Sequence, residues 1–251
     1  MARFTLQFLT VLFISIASVS VSAAERAATV LITGANRGIG LAMAESFSKA
    51  GYSVIGTARN PDKAIDLKNL SARVVQLDVS NPESVAAFAK QIGNQPIDIL
   101  INNAGMLSRE ASDFEKVDIE ALVTEYQVNA LGPLRVTQAL LPNVLAGERK
   151  IVANISSLLA SMELNNFGCC LGYGGSKAAL NSFTNSLADK MADSGIAFVM
   201  LHPGYVKTDL NGGAGSITTA QSASALYTVI SGLSAADNGK FLKFDGETMP
   251  W

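Results

Sequence analysis

The stretch from Thr29 to Gly51 constrains this chain most. Thr29-Val-Leu-Ile-Thr33 is a short β-branched, apolar run and predicts a buried strand. Gly34-Ala-Asn-Arg-Gly38-Ile-Gly40 follows at once, and Leu41 to Ala50 reads as a helix closed by Gly51. Strand, glycine turn and helix together make the unit that binds a dinucleotide pyrophosphate. Glycines let the backbone approach the phosphates, and the helix N-terminus favours negative charge. The spacing is Thr-Gly-x-x-x-Gly-x-Gly rather than Gly-x-Gly-x-x-Gly, so a plain tight turn is the competing reading. Gly34, Asn36, Arg37, Gly38, Ile39 and Gly40 are the candidate contacts here.

After this unit, apolar runs keep alternating with helical stretches. The predicted strands are Tyr52–Ala58, Arg73–Leu77, Pro96–Ile101, Lys150–Ile155, Ile196–Leu201 and Lys240–Phe244. That alternation in a chain of 251 residues predicts one α/β domain of ordinary size. A formal net charge of −2 gives no reason to expect a nucleic-acid partner. The only cysteines, Cys169 and Cys170, are adjacent, which strains a disulfide, and His202 is the only histidine. No metal site is expected.

Residues 1–24 stand apart from the rest. Arg3 gives a short basic start, Phe4 to Val19 is mostly apolar, and Val21-Ser22-Ala23 offers small residues around a cleavable bond. This resembles a secretory signal peptide. An uncleaved membrane anchor and a buried core helix are the alternatives. Residues 25–251 would then form the single domain.

Several strand ends carry candidate site residues. Ala58-Arg59 offers no acid to bond a ribose 2′-hydroxyl. Arg59, with Arg37 nearby, suits a 2′-phosphate, so NADP(H) is expected in preference to NAD(H). The competing reading is two solvated arginines. Asp78-Val79 ends the third strand. Ser80 is the expected cap of the next helix, Pro82–Ile92, which leaves Asp78 free for an adenine amino group. Asn102-Asn103-Ala104-Gly105 is an amide-rich turn that would pass under a cofactor, or a plain β-turn. Asn129 sits within a long helix from Asp118 to Leu140 that Gly132-Pro133 should interrupt; it would hold a water, or is simply tolerated at a bend. Ser156-Ser157 ends the fifth strand, at the sheet edge where ligands bind. Pro203-Gly204 turns the chain at the same edge, followed by Val206 and Thr208. His202 reads as a packed strand-end residue rather than a base.

Tyr173-Gly-Gly-Ser-Lys177 opens a helix on which Leu180, Phe183, Leu187 and Met191 recur at helical spacing. A phenol has an ordinary pKa of about 10, and an ammonium one turn away favours its ionised form. The bland alternative is a surface tyrosine beside a solvated lysine.

Taken together, Thr33-Gly-Ala-Asn-Arg-Gly-Ile-Gly40, Asp78-Val79, Asn102-Asn-Ala-Gly105, Asn129, Asn154-Ile-Ser-Ser157, Tyr173-x-x-x-Lys177 and Pro203-Gly204 resemble the short-chain dehydrogenase/reductase family, compact single-domain type. The Asn154-Ile-Ser-Ser-Leu-Leu run and the closing Met249-Pro-Trp251 resemble its C-factor and sniffer-type carbonyl reductase branch. The resemblance implies a doubly wound Rossmann-type fold with a seven-stranded, mostly parallel sheet. It also implies roles. Tyr173 exchanges a proton with a carbonyl or alcohol oxygen, and Ser157, rather than Ser156, bonds that oxygen. Lys177 holds the nicotinamide ribose, and Asn129 keeps a water that links Lys177 to solvent. A homodimer or homotetramer is the oligomer it suggests. One departure is the gap of sixteen between Ser157 and Tyr173, whose loop, Glu163 to Cys170, is expected partly to cover the site.

The leading expectation is an NADPH-dependent oxidoreductase for small carbonyls or alcohols. The alternatives are a nucleotide-binding signalling protein of C-factor type with little turnover, and a dehydratase or epimerase using the same tyrosine and lysine. The leader places the protein in the secretory pathway or another extracytoplasmic space; cytoplasmic and membrane-anchored locations are the alternatives. Mass spectrometry of native protein should find a terminus near Ala24, and an intact Met1 or Ala2 would refute cleavage.

Overall fold

The computed structural model describes Met1, residues 26–108 and residues 114–251. The leader lies, Met1 apart, outside the described residues. Seven strands form one sheet: β1 (Thr29–Ile32), β2 (Ser53–Ala58), β3 (Arg73–Gln76), β4 (Ile99–Asn102), β5 (Ile151–Ile155), β6 (Ala197–His202) and β7 (Phe241–Lys243). Their order is β3-β2-β1-β4-β5-β6-β7. Every pairing between them is parallel, which sharpens the expectation of a mostly parallel sheet. The chain works outward from β1 in one direction, then returns to β4 and works outward in the other. That reversal opens a crevice at the carboxyl ends of β1 and β4.

The helices are α1 (Gly38–Lys49), α2 (Ile65–Asn69), α3 (Pro82–Ile92), α4 (Ile119–Tyr126), α5 (Gly132–Leu145), α6 (Leu171–Lys190) and α7 (Thr219–Gly232). Side chains on each strand alternate between two cores, because a strand turns successive residues to opposite faces. Val30, Ile32, Ile99, Ile101 and Ile151 meet Phe47 of α1, Leu67 of α2 and Leu226 of α7 on one side. Leu31, Leu100, Val152 and Phe198 meet Phe88 of α3, Leu140 of α5 and Ala188 of α6 on the other. Each large side chain taken fully from water contributes roughly 1.5–3 kcal/mol. Burial on both faces explains why these strands read as unbroken apolar runs.

The edge opposite the crevice is tied down by Asp98. Its carboxylate, 1% exposed, accepts from the backbone N–H groups of Thr29 (2.6 Å) and Glu148 (2.8 Å) and from Arg26 (2.9 Å). Burial pushes this carboxyl up, but Arg26 and the two amides outweigh it and leave it below its ordinary value. Among the described residues, no helix is long and apolar enough to cross a membrane.

Candidate active site

The glycine turn is held open by a clasp between two strand ends. Thr33 Oγ1 accepts from the backbone N–H of Asn103 and of Ala104, both at 3.0 Å. Asn103 Nδ2 donates back to Thr33 O (3.0 Å) and Gly34 O (3.2 Å). The clasp brings Gly34 so close to Ala104 that a Cβ on it would lie 2.9 Å from the Ala104 Cα, and its φ of +64° already favours glycine. Gly38 also has positive φ, but a Cβ there would meet only Thr208 Cγ2 at 3.9 Å. The space above Gly38 is therefore open. Gly38 starts α1, no side chain caps this terminus, and no acid lies in its first turn. Free N–H groups and the positive end of the helix dipole thus face that space, a cradle that fits a pyrophosphate.

This cradle is one wall of a cleft of ≈ 630 Å³ along the carboxyl edge of the sheet. Arg59, Asn60 and Lys63 line its outer end, where β2 stops. Lys63 is a third cation that the sequence reading passed over; its place only two residues after Pro61 is the signal that could have found it. Arg37 is turned across the cleft to Asp209, Nη1 to Oδ2 3.2 Å. Both side chains are exposed, so this ion pair contributes about 0–1 kcal/mol and leaves the guanidinium free to exchange partners. Asp78 also lines the cleft, but it is not free as expected. Its Oδ1 accepts from Ser80 N (3.0 Å) and Ser80 Oγ (2.6 Å). The cap of α3 is Asn81, which accepts from Ser84 N at 2.8 Å. Asn81 directly precedes the helical Pro82, so it holds the cap position and Ser80 is left to bond Asp78.

The inner end of the cleft is built by α4, α5, α6 and β5. The long helix breaks as expected, into one π-helical turn at Gln127–Leu131 before Gly132-Pro133. Pro133 has no N–H for the Asn129 carbonyl, and a Cβ on Gly132 would lie 2.9 Å from Val79 Cγ2. The turn buries Asn129 completely. Asn129 Nδ2 donates to Met106 O (2.8 Å) and Ser176 Oγ (3.0 Å), while its Oδ1 accepts from Met106 N (2.9 Å). It does not reach Lys177 directly. Gly105 lies between them, its absent Cβ 3.3 Å from Asn129 Oδ1 and 3.7 Å from Lys177 Nζ.

One face of α6 is polar and buried against β5. Lys177 Nζ donates to Ile155 O (2.7 Å), Ser156 Oγ donates to Asn181 Oδ1 (2.6 Å), and Asn154 Nδ2 donates to Thr184 Oγ1 (2.8 Å). Asn102 extends the ladder by donating to Asn154 Oδ1 (2.8 Å) and Thr137 Oγ1 (3.1 Å). Ser156 lines the cleft, but its hydroxyl is committed to Asn181. Ser157 is not among the lining residues; its Oγ accepts from Leu159 N at 3.2 Å, and its hydroxyl is near enough to Tyr173 to pull the phenol's pKa down. His202 Nδ1 accepts from Leu158 N at 3.2 Å and so fixes the turn after Ser157. Burial first, and then Lys243, hold His202 down to about 4, so it is neutral and structural at ordinary pH.

The expected influence of Lys177 on Tyr173 is not what this geometry gives. Burial pushes the Tyr173 phenol up to about 12, against the pull of the Ser157 bond, and Glu125 and Cys170 raise it further. Burial also brings the Lys177 ammonium down to about 8. The ammonium is committed to the Ile155 carbonyl and lies 5.8 Å from the tyrosine ring centroid, too engaged to offset the lost water. Glu125 was absent from the sequence reading. It is wholly buried on α4, accepts a bond from Ser108 N through Oε1, and Oε2 has no hydrogen-bond partner. A single glutamate in a helix gives no sequence signal of such burial.

Of the predicted contacts, the glycine-turn residues, Arg59, Asp78, Val79, Asn103, Ala104, Gly105, Tyr173, Lys177, Pro203 and Thr208 all line the cleft. Gly204 and Val206 do not. Gly204 (φ +88°) packs under Ile217 and Phe244, and Val206 is buried beside Ile217. Both support the wall rather than form it. None of residues 161–170 lines the cleft, contrary to the expected cover; that loop is drawn toward the C-terminus, where Glu163 N donates to Trp251 O at 3.0 Å.

A doubly wound sheet with a pyrophosphate cradle, closed at its inner end by serine, tyrosine and lysine, defines an NAD(P)-dependent oxidoreductase. The short chain dehydrogenase family model matches residues 28–217, and the chain belongs to the short-chain dehydrogenase/reductase family. It is 36% identical over 165 residues to the C-signal of Myxococcus xanthus, covering 66% of this chain and 99% of that one. NADPH-bound carbonyl reductase from chicken fatty liver superposes with a TM-score of 0.82 at 32% identity, over 90% of this chain and all of that one. The carbonyl reductase Sniffer of D. melanogaster superposes with a TM-score of 0.82 at 28% identity, over 90% and 100% of the two chains.

Glu125 yields a measurable consequence. Burial raises its carboxyl above the ordinary 4.5, against the Ser108 bond, so folding favours its protonated form. The stability it contributes is complete below pH 4.5 and is lost as pH rises through the folded value. Glu125→Gln should therefore melt above wild type at neutral pH, by about 2–4 °C for each kcal/mol relieved, with the gap closing on acidification. Thermal scans across pH check this, and a gap that is constant with pH would contradict it.

Proposed function

We propose that this protein is an NADPH-dependent carbonyl reductase acting on small aldehydes or ketones, with Tyr173 as its general acid and base. The observation that carries the reading is that Tyr173 and Lys177 line the same cleft as the Gly34–Gly40 turn, with the Ser157 hydroxyl near enough to pull on the Tyr173 phenol. The Gly34–Gly40 turn would hold the pyrophosphate, and Arg59, Lys63 and Arg37 the 2′-phosphate. Lys177 would hold the nicotinamide ribose once drawn from the Ile155 carbonyl. When bound, the cofactor supplies a hydride.

The chain's own residues then do the rest. Ser157 orients the carbonyl oxygen by hydrogen bonding. The Tyr173 phenol, held protonated, donates to that oxygen as negative charge develops on it. A high phenol pKa suits the reductive direction, because the acid must arrive with its proton. Asn129, fixed by Met106 and Ser176, shapes the gap beside Gly105 through which a water could reach Lys177. The similarity to the C-signal supports a second reading: a nucleotide-binding signalling protein with little turnover.

NADPH consumption with a panel of dicarbonyls separates the two. Wild type should turn over, and Tyr173→Phe should lose roughly 10²–10⁴-fold in kcat while still binding NADPH. Equal consumption by both, or by neither while cofactor binds, removes the enzyme reading. For cofactor choice, Arg59→Asp should weaken NADPH binding by roughly ten- to a hundredfold, the scale of one lost charged hydrogen bond, and leave NADH nearly unchanged. Titration of both cofactors by fluorescence measures it; equal losses for the two would refute the 2′-phosphate role.

A further inference from the structure

We propose that Cys169 and Cys170 form a reversible dithiol–disulfide modification site that controls the first turn of α6. The two sulfurs lie 3.0 Å apart, Cys170 Sγ donating to Cys169 Sγ. Cys169 is exposed, and Cys170 is half-buried. These are the chain's only cysteines, so an internal disulfide can join no other pair.

Cys170 is also the residue from which α6 starts. It sits in the left-handed region with φ +60° and offers no side-chain cap to the helix. Its carbonyl accepts from Gly174 N at 2.8 Å, closing the turn that carries Tyr173. A non-glycine residue in this region costs roughly 1–2 kcal/mol, so the turn rests on a backbone position already under strain. Electrostatically, Cys170 is a neighbour of both Tyr173 and Glu125.

A low-molecular-weight disulfide, such as glutathione disulfide, is the oxidant that fits. The exposed Cys169 thiolate attacks one of its sulfurs, the S–S bond breaks, and one glutathione leaves and takes up a proton. Cys170 then attacks the Cys169 sulfur of the mixed disulfide, giving up its proton as the second glutathione leaves. The two cysteines lose two electrons and two protons, and the oxidant gains both as two thiols. Burial pushes the Cys170 thiol up to about 12, so the exposed Cys169 makes the first attack; Cys170 follows only because the mixed disulfide holds the target sulfur beside it.

Adjacent Cα atoms stand about 3.8 Å apart across a trans peptide, below the 4.4–6.8 Å usual for a disulfide. Drawing the sulfurs from 3.0 Å to a bond of about 2.05 Å closes a small strained ring, and that strain falls on the peptide between the two residues and on the left-handed dihedrals of Cys170. Relieving it there takes the Cys170 carbonyl from Gly174 and shifts Tyr173 against Ser157. A disulfide strained in this way is readily reduced, so the modification is reversible. The effect on turnover rests on the carbonyl-reductase reading; the chemistry at sulfur does not.

The full-length protein is equilibrated in glutathione buffers and read three ways. Intact mass should show loss of two hydrogen atoms in the monomer, reversed by dithiothreitol and absent in Cys169→Ser and Cys170→Ser. Amide exchange over residues 171–174 should speed up in the oxidised form. NADPH turnover should fall by roughly ten- to a hundredfold, the scale set by an ångström of displacement at a reacting group, and return on reduction. A stable glutathione adduct or a disulfide-linked dimer in place of the internal bond overturns the proposal. So does an internal bond that leaves exchange over 171–174 unchanged. If mass and exchange respond but neither form consumes NADPH, the carbonyl-reductase reading fails and the modification site stands.

Discussion

The polar ladder between α6 and β5 is the contact on which the inner site depends. Lys177, Asn181 and Thr184 recur at helical spacing and meet Ile155 O, Ser156 and Asn154 in turn. An apolar helix face can slide on a sheet at small cost, because dispersion is non-directional. A buried polar face cannot, since each displaced donor or acceptor loses its partner and pays about 1–3 kcal/mol in desolvation. The ladder therefore fixes both the rotation and the height of α6 on the strand. Tyr173, one turn before Lys177, is held opposite Ser157 by that registration.

The same logic sets the outer half of the cleft. The clasp of Thr33 on Asn103 and Ala104 joins the ends of β1 and β4, where the order of the sheet reverses. It forces the glycine turn into a path that side chains cannot follow, and so leaves the start of α1 uncovered. A cavity for phosphate is thus a by-product of satisfying backbone amides at a strand end. The interior gains little from charge: Lys177 and Glu125 are both buried without an opposite charge beside them, and each shifts toward its neutral form. A site built this way is preorganised by hydrogen bonds rather than by ion pairs.

Much of this was legible in advance where a signal is local. The strand–glycine–helix unit, the break before Gly132-Pro133 and the strand-end position of Ser157 each rest on residues within one turn of one another. Misreadings came where a choice depended on partners far away in sequence. Ser80 and Asn81 are both good caps, and the position of Pro82 decides between them. Leu180, Phe183, Leu187 and Met191 announce a helix, but the polar stripe beside them is what meets β5. The loop from Glu163 to Cys170 is drawn to Trp251 instead of over the cleft.

What the sequence alone determined is therefore the alternation of elements, the phosphate cradle and the residue types available for proton transfer. These follow from periodicity and from the backbone freedom of glycine, which act within a few residues. Only the tertiary structure decided the protonation balance at the site. The acidity of Tyr173 and Lys177 depends on how much water the packed helices exclude, and on Ile155, Ser157 and Glu125 being brought within reach. No short stretch of chain carries that information, because desolvation belongs to the assembled interior and not to any residue in it.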